Sequence, residues 1–137
     1  MNDTSIQLVR ETFDLVDPIA PQVAAAFYAR LFAADPSMQA LFKGDMETQG
    51  RRLMQMIALA VARLDEPELL LPALQELGQR HAGYGVRDAH YDTVGAALLG
   101  TLRQGLGVAY TPEVHEAWTD VYGVFSSTMK AAAKVPA

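Results

Sequence analysis

An all-helical domain is predicted from three features of the sequence. Apolar residues recur at three- and four-residue intervals in successive stretches, Pro, Gly and Asp punctuate the chain between them, and no segment alternates apolar and polar residues between hairpin turns. At 137 residues the chain suits one domain, 1–137, which buries about two-thirds of its unfolded surface. No repeat, linker or charge block divides it.

The elements follow in order. Asp3 or Thr4 can cap a first helix, in which Ile6, Val9, Phe13 and Val16 recur up to the break at Asp17-Pro18. Pro21 suits the first turn of a second helix with a bulky aromatic stripe of Val23, Ala24, Phe27, Tyr28, Leu31 and Phe32. Asp35-Pro36 ends it and starts a short helix through Met38 and Phe42, with Lys43-Gly44-Asp45 as a turn. From about Glu47 to Leu64, the positions Leu53, Met56, Ile57, Ala60, Val61 and Leu64 define a long helix with Arg51, Arg52 and Arg63 outward; Gln49 begins its inward face.

After Asp65-Glu66-Pro67 the next helix spans Leu69 to His81 and starts near Leu70, because Pro72 is tolerable only in a first turn. Gly83 and Gly85 stop it, and Gly83 is expected in a left-handed conformation. Asp88 can cap a helix carrying Tyr91, Val94, Leu98, Leu102 and Leu106, within which Gly95 and Gly100 permit close crossings. Thr111-Pro112-Glu113 opens the last helix, with Val114, Trp118, Val121, Tyr122, Phe125 and Met129 on its stripe. Its tail is expected to fray from Ala131.

A net charge of −5 supplies no basic field, which argues against nucleic acid and anionic membrane surfaces as partners. The absence of Cys removes thiol catalysis, thiolate metal sites and covalent haem attachment. There is no apolar run of membrane-spanning length, and MNDTSIQLVR lacks a signal-peptide pattern, so a cytoplasmic protein is expected. Gly-x-Ser-x-Gly, His-Glu-x-x-His and a phosphate-binding Gly-rich loop are all missing, leaving hydrolase chemistry without support.

His81 stands out because Leu77 and Leu74 precede it by four and seven residues, which turns its imidazole inward. On spacing alone a core histidine with satisfied nitrogens is the commoner outcome, and a metal or haem ligand the rarer one. His90 and His115 end no apolar stripe and are expected at the surface.

One combination extends along nearly the whole chain: Phe27-Tyr28-Ala29-Arg30-Leu31-Phe32, Leu41-Phe42, Gln49 with Leu53, His81, Tyr91-Asp92-Thr93-Val94-Gly95, Ala117-Trp118 and Val121-Tyr122-Gly123. In order and spacing it resembles the bacterial single-domain haemoglobins and the globin domain of the flavohaemoglobins. The resemblance implies a globin fold of about six to eight helices around a non-covalent b-type haem. It makes His81 the proximal iron ligand, Phe42 a ring against the haem face, and Tyr28, Gln49 and Leu53 the distal wall. Leu77, with a carbonyl that can accept the second imidazole N–H, Val86 and Tyr91 join the proximal surroundings, and Arg80 can reach a haem propionate or stand free in solvent.

Tyr28 and Gln49 would donate hydrogen bonds to O₂; without the resemblance they read as a core aromatic and a solvated helix residue. The implied function is reversible binding of O₂, with NO and CO as further ligands, and conversion of NO and O₂ to nitrate. Alternatives are O₂ storage without turnover, a gas-sensing module, and a haem-free helical interaction domain. Self-association is expected to be no stronger than a weak homodimer.

Two departures from the flavohaemoglobin pattern qualify the implied chemistry. No flavin or nicotinamide domain follows, so a separate reductase would supply electrons. No Asp or Glu occurs after Asp120, so the acidic residue that in flavohaemoglobins joins the proximal His and Tyr network has no counterpart, and Tyr91 lacks that partner.

Overall fold

The computed structural model describes residues 1–134, which form six α-helices and no strand. They are α1 (Asp3–Val16), α2 (Ala20–Ala34), α3 (Met46–Ala62), α4 (Pro67–Gly83), α5 (Asp88–Leu106) and α6 (Pro112–Ala133), with short 3₁₀ segments at Asp17–Ile19, Pro36–Leu41 and Gly107–Ala109. Helix α6 packs on both α4 and α1, and α2 packs on α5 and α3. Val9, Val16, Leu31, Trp118 and Val121 are the most deeply buried large side chains. The Trp118 indole N–H donates to Thr12 Oγ1 at 2.8 Å, and the Thr12 hydroxyl donates to the Leu8 carbonyl at 2.7 Å, so this buried polar pair is satisfied.

Close crossings depend on glycines. A Cβ at Gly78 would lie 2.7 Å from Met129 Cα and closer still to the Met129 carbonyl, so α4 and α6 meet backbone against backbone. A Cβ at Gly50 of α3 would lie 2.9 Å from the Ala24 methyl of α2, and one at Gly95 of α5 would lie 2.6 Å from the edge of the Tyr122 ring. The crossings expected at Gly95 and Gly100 are present, the latter against the Arg30 side chain.

Several boundaries differ from expectation for local reasons. Asn2, not Asp3 or Thr4, caps α1, accepting from the Ser5 N–H at 2.8 Å. Helix α4 begins at Pro67, two to three residues before the expected start, which places Pro72 in its second turn. Pro72 is exposed, so the Glu68 carbonyl that loses its helical donor remains open to water. Arg87, rather than Asp88, is the residue preceding α5.

Met56 is exposed and Met54 takes its place inside, a shift of two positions around α3. The expected fraying from Ala131 does not occur among the described residues: α6 continues to Ala133 and buries Ala132. The last part of that expectation, 135–137, lies outside the described residues. No described helix is long and apolar enough to cross a membrane.

Candidate functional site

His81 occupies the last turn of α4, where its carbonyl accepts from the N–H groups of Tyr84 at 3.1 Å and Val86 at 3.0 Å. The helix continues through Gly83, which has no positive φ. Gly85, at φ +94°, is the residue that turns the chain back. The left-handed position expected at Gly83 is therefore two residues further on, and the turn returns half-buried Val86 to the core beside Leu77.

The two imidazole nitrogens are not equivalent. Nδ1 is buried and has no hydrogen-bond partner. Burial holds the ring's pKa below its usual value, Leu77's carbonyl opposes that shift, and the Arg80 charge adds to it. Leu77 thus lies close enough to act on the ring, but Nδ1 makes no bond of ordinary geometry with it. An imidazole in its uncharged form keeps an unshared electron pair for a Lewis acid, and the shift favours that form.

The Tyr91 hydroxyl is also buried and unpartnered, and burial together with Asp88 raises its pKa. Tyr122 donates to the Tyr91 carbonyl at 2.6 Å. Arg80 points away into an exposed ion pair with Glu76 at 3.7 Å.

A second group of candidate residues is aromatic. Tyr28 stands edge-on to Phe27 and Phe42, each 5.2 Å between centroids, and stacks on Phe32 at 5.8 Å. Burial pushes the phenol's pKa up to about 12, so it stays a hydrogen-bond donor through the neutral range. Its one partner among the described residues is the Gln49 main-chain carbonyl at 3.4 Å, a long bond that a better acceptor can displace.

Gln49 does not aim its amide at Tyr28. That amide donates to the Lys43 carbonyl at 2.8 Å. Asp45, accepting from the Thr48 N–H at 3.1 Å, starts α3 just after that loop. Phe42, Leu53, Val94 and Leu98 are only half buried, as are Leu77 and Val86, and Leu98 packs against both core clusters. These apolar side chains still leave part of their surface uncovered.

A family model for globins matches residues 25–129. The chain belongs to the globin family. The match contains Tyr28, Phe42, Gln49, Leu53, Leu77, Arg80, His81, Val86 and Tyr91. A flavohemoprotein of Xylella fastidiosa (strain Temecula1) is 35% identical over 129 residues, 92% of this globin and 32% of that protein. One from Bordetella parapertussis is 33% identical over 120 residues, 85% of this globin and 30% of that protein. This globin spans about a third of the length of the curated relatives it matches. The flavohemoglobin of Malassezia yamatoensis, solved with bound FAD and heme, shares its fold, with TM-score 0.80 and 23% identity over 97% of this chain and 36% of that one.

Sequence patterning missed three features of this globin's site. His90 is buried, at 6% exposure, and not at the surface: its Nδ1 accepts the Arg87 N–H at 2.9 Å and so ties down the start of α5. His115 is exposed as expected, with Nδ1 2.6 Å from the Tyr110 hydroxyl. Gly78, three residues before His81, is the contact that seats α4 on α6, and a small residue on the inward stripe was the available signal. Val94 and Leu98 belong to the half-buried lining as well as to the α5 stripe. Among the described residues no three His, Cys, Asp or Glu gather as a metal site.

Proposed function

We propose that this globin binds a b-type haem, with His81 as the iron ligand and Phe42, Leu53, Leu77, Val86 and Tyr91 among the residues that surround the group. The observation that carries the reading is an imidazole with a buried, unpartnered Nδ1 at the end of α4, together with apolar side chains left half covered. The residues present fit the group: aliphatic and aromatic side chains suit a flat macrocycle, and the lack of Cys leaves non-covalent attachment. The bound group would supply reversible binding of O₂, NO and CO, and the oxidation of NO by O₂.

The chain's own contribution is positioning. Leu77 lies behind the imidazole, and a small movement completes the Nδ1–H bond to its carbonyl that fixes the tautomer. Tyr28 offers an O–H donor from a dry aromatic wall, which suits a ligand that gains negative charge and favours its retention. Gln49 would add a second donor only by releasing Lys43, and Arg80 would reach a propionate only by leaving Glu76.

The turnover proposed is NO plus O₂ plus one electron giving nitrate, with the electron from a reductase outside the residues described here. The flavohemoprotein relatives support that assignment. The protein is proposed to work in the cytoplasm, as a monomer or weak homodimer.

Haemin titration tests the reading directly. Ferric, ferrous and CO-bound spectra of the wild type should show histidine-ligated haem, and His81→Gly should lose that signature and regain it with free imidazole. Identical ferrous and CO spectra for the two proteins would rule out His81 as ligand. Sustained NO consumption with an added flavin reductase separates turnover from O₂ storage, which predicts one equivalent only.

A further inference from the structure

Lys130 is a charge that the gas-binding reading does not use. It follows Met129, whose backbone touches Gly78, and His81 lies three residues beyond Gly78 on α4. With a rise of 1.5 Å per helical residue and about 3.8 Å between adjacent Cα atoms, the roots of Lys130 and His81 lie on the order of 10 Å apart. They cannot separate unless the α4–α6 crossing opens. The Lys130 side chain is only 26% exposed, and its ammonium stands 5.8 Å from the centroid of the buried Tyr91 ring.

The anions nearby are arranged differently. Asp92, 3.8 Å from the Lys130 ammonium, is 87% exposed. Asp88 pairs with Lys134 at 3.4 Å, with both side chains more than half exposed. Arg80 and Glu76 are likewise exposed and paired. The acids therefore sit on α5 toward water, where solvent and salt screen them, while α6 carries no Asp or Glu after Asp120 and turns a cation inward. The buried Tyr91 hydroxyl has no carboxylate acceptor.

We propose that Lys130 is a positioning residue that sets the reduction potential of the iron held by His81, favouring the ferrous, gas-binding state. This rests on the haem reading above. Ferric haem carries one more positive charge than ferrous haem, so a partly buried cation rooted near the ligand raises the free energy of the ferric form more. With the root separation of about 10 Å taken as the scale of the charge–iron distance and an effective dielectric near 20, a unit charge changes the ferric–ferrous equilibrium by about tenfold, which the screened Asp92 reduces toward threefold. For a one-electron couple that is about 30 to 60 mV.

The test is spectroelectrochemical titration of haemin-loaded protein, with the iron–histidine stretch of the ferrous form recorded by resonance Raman. Lys130→Met should shift the equilibrium about three- to tenfold toward ferric. Lys130→Arg, which keeps the charge, should stay within about twofold of wild type. Asp92→Asn should move the equilibrium the other way, toward ferrous, a sign that a merely structural disturbance would not produce.

A Lys130→Met potential equal to wild type, with the iron–histidine stretch intact, overturns the proposal and leaves the haem reading standing. So does a shift of the same sign in Lys130→Met and Asp92→Asn. Failure of the wild type to take up haemin overturns both.

Discussion

Two glycine crossings frame the site, and they touch different things. On the His81 side, Gly78 meets the Met129 main chain, so the separation of α4 and α6 is set by backbone atoms that have nowhere to go. On the Tyr28 side, Gly50 meets the Ala24 methyl, and the rest of the contact is a set of aromatic rings with one long hydrogen bond. The difference assigns tolerance. At Gly78 an added methyl meets three main-chain atoms and must move a whole helix; at Gly50 it meets one methyl, so the helices must part against a single atom.

Substituting each glycine by Ala is the most direct way to break this contrast. Gly78→Ala should cost about 3 kcal/mol in urea unfolding, the upper end for overpacking even after Ala's gain in helix propensity. Gly50→Ala should cost about 2 kcal/mol, because its Cβ would lie 2.9 Å from an Ala24 methyl that is fixed to α2 and cannot rotate away, so the two helices must part locally. Equal losses would mean that both crossings are equally rigid.

The hydroxyl of Tyr28 comes next. Tyr28→Phe keeps the ring and removes a donor, and a lost hydrogen bond of about 1.5–3 kcal/mol accelerates O₂ release about ten- to a hundredfold in stopped flow. CO release should change far less. Gln49→Leu should have the smaller effect of the two, since its amide is engaged by Lys43, and the double variant would show whether the two donors couple.

Alkaline pH sharpens the contrast further. The Tyr28 pKa rises from 10.0 to about 12 in the folded protein, so above pH 10 the unfolded chain releases a proton that the folded one keeps. Stability contributed below pH 10 is then lost as pH climbs toward 12, by about 2 kcal/mol for this group. Tyr122, whose pKa burial raises well above 10.0, adds to the loss with the same sign. Denaturation between pH 9 and 12 should show a shallower decline in Tyr28→Phe. An unchanged slope would mean that the Tyr28 hydroxyl is solvated.

The smallest effect belongs to the turn after α4. Gly85→Val should cost about 1–2 kcal/mol, because a β-branched residue is strained at φ +94°. Gly83→Val, at a negative φ with open space around it, should fall within about 0.5 kcal/mol of wild type. Thermal melts of the two variants would separate them.

What the sequence disclosed depended on periodicity. The stripes of α1, α2, α5 and α6 appear at their expected positions, and His81 ends an inward row, because three- and four-residue spacing follows from helix geometry itself. Features decided by tertiary contact were hidden. Pro67 and Pro72 are equally plausible first-turn residues until the exposed side of α4 is known. His90 reads as polar surface, yet its ring turns back onto the Arg87 N–H. The Gln49 amide had two carbonyls or a ligand to choose among, and only the fold of the 43–45 loop brings Lys43 within reach. Lys130 looks like any late-helix cation until Tyr91 and Asp92 are placed against it.

The uncovered apolar faces of Phe42, Leu53, Val94 and Leu98 reach beyond ligand chemistry. A chain in this state offers sticky surface to chaperones and proteases, whereas one whose lining is covered by a tightly held group is withdrawn from them by mass action. Cellular turnover would then discriminate between the two forms. The amount of this globin a cell retains would follow its haem supply more closely than its rate of translation, making the half-finished wall a gauge of cofactor abundance.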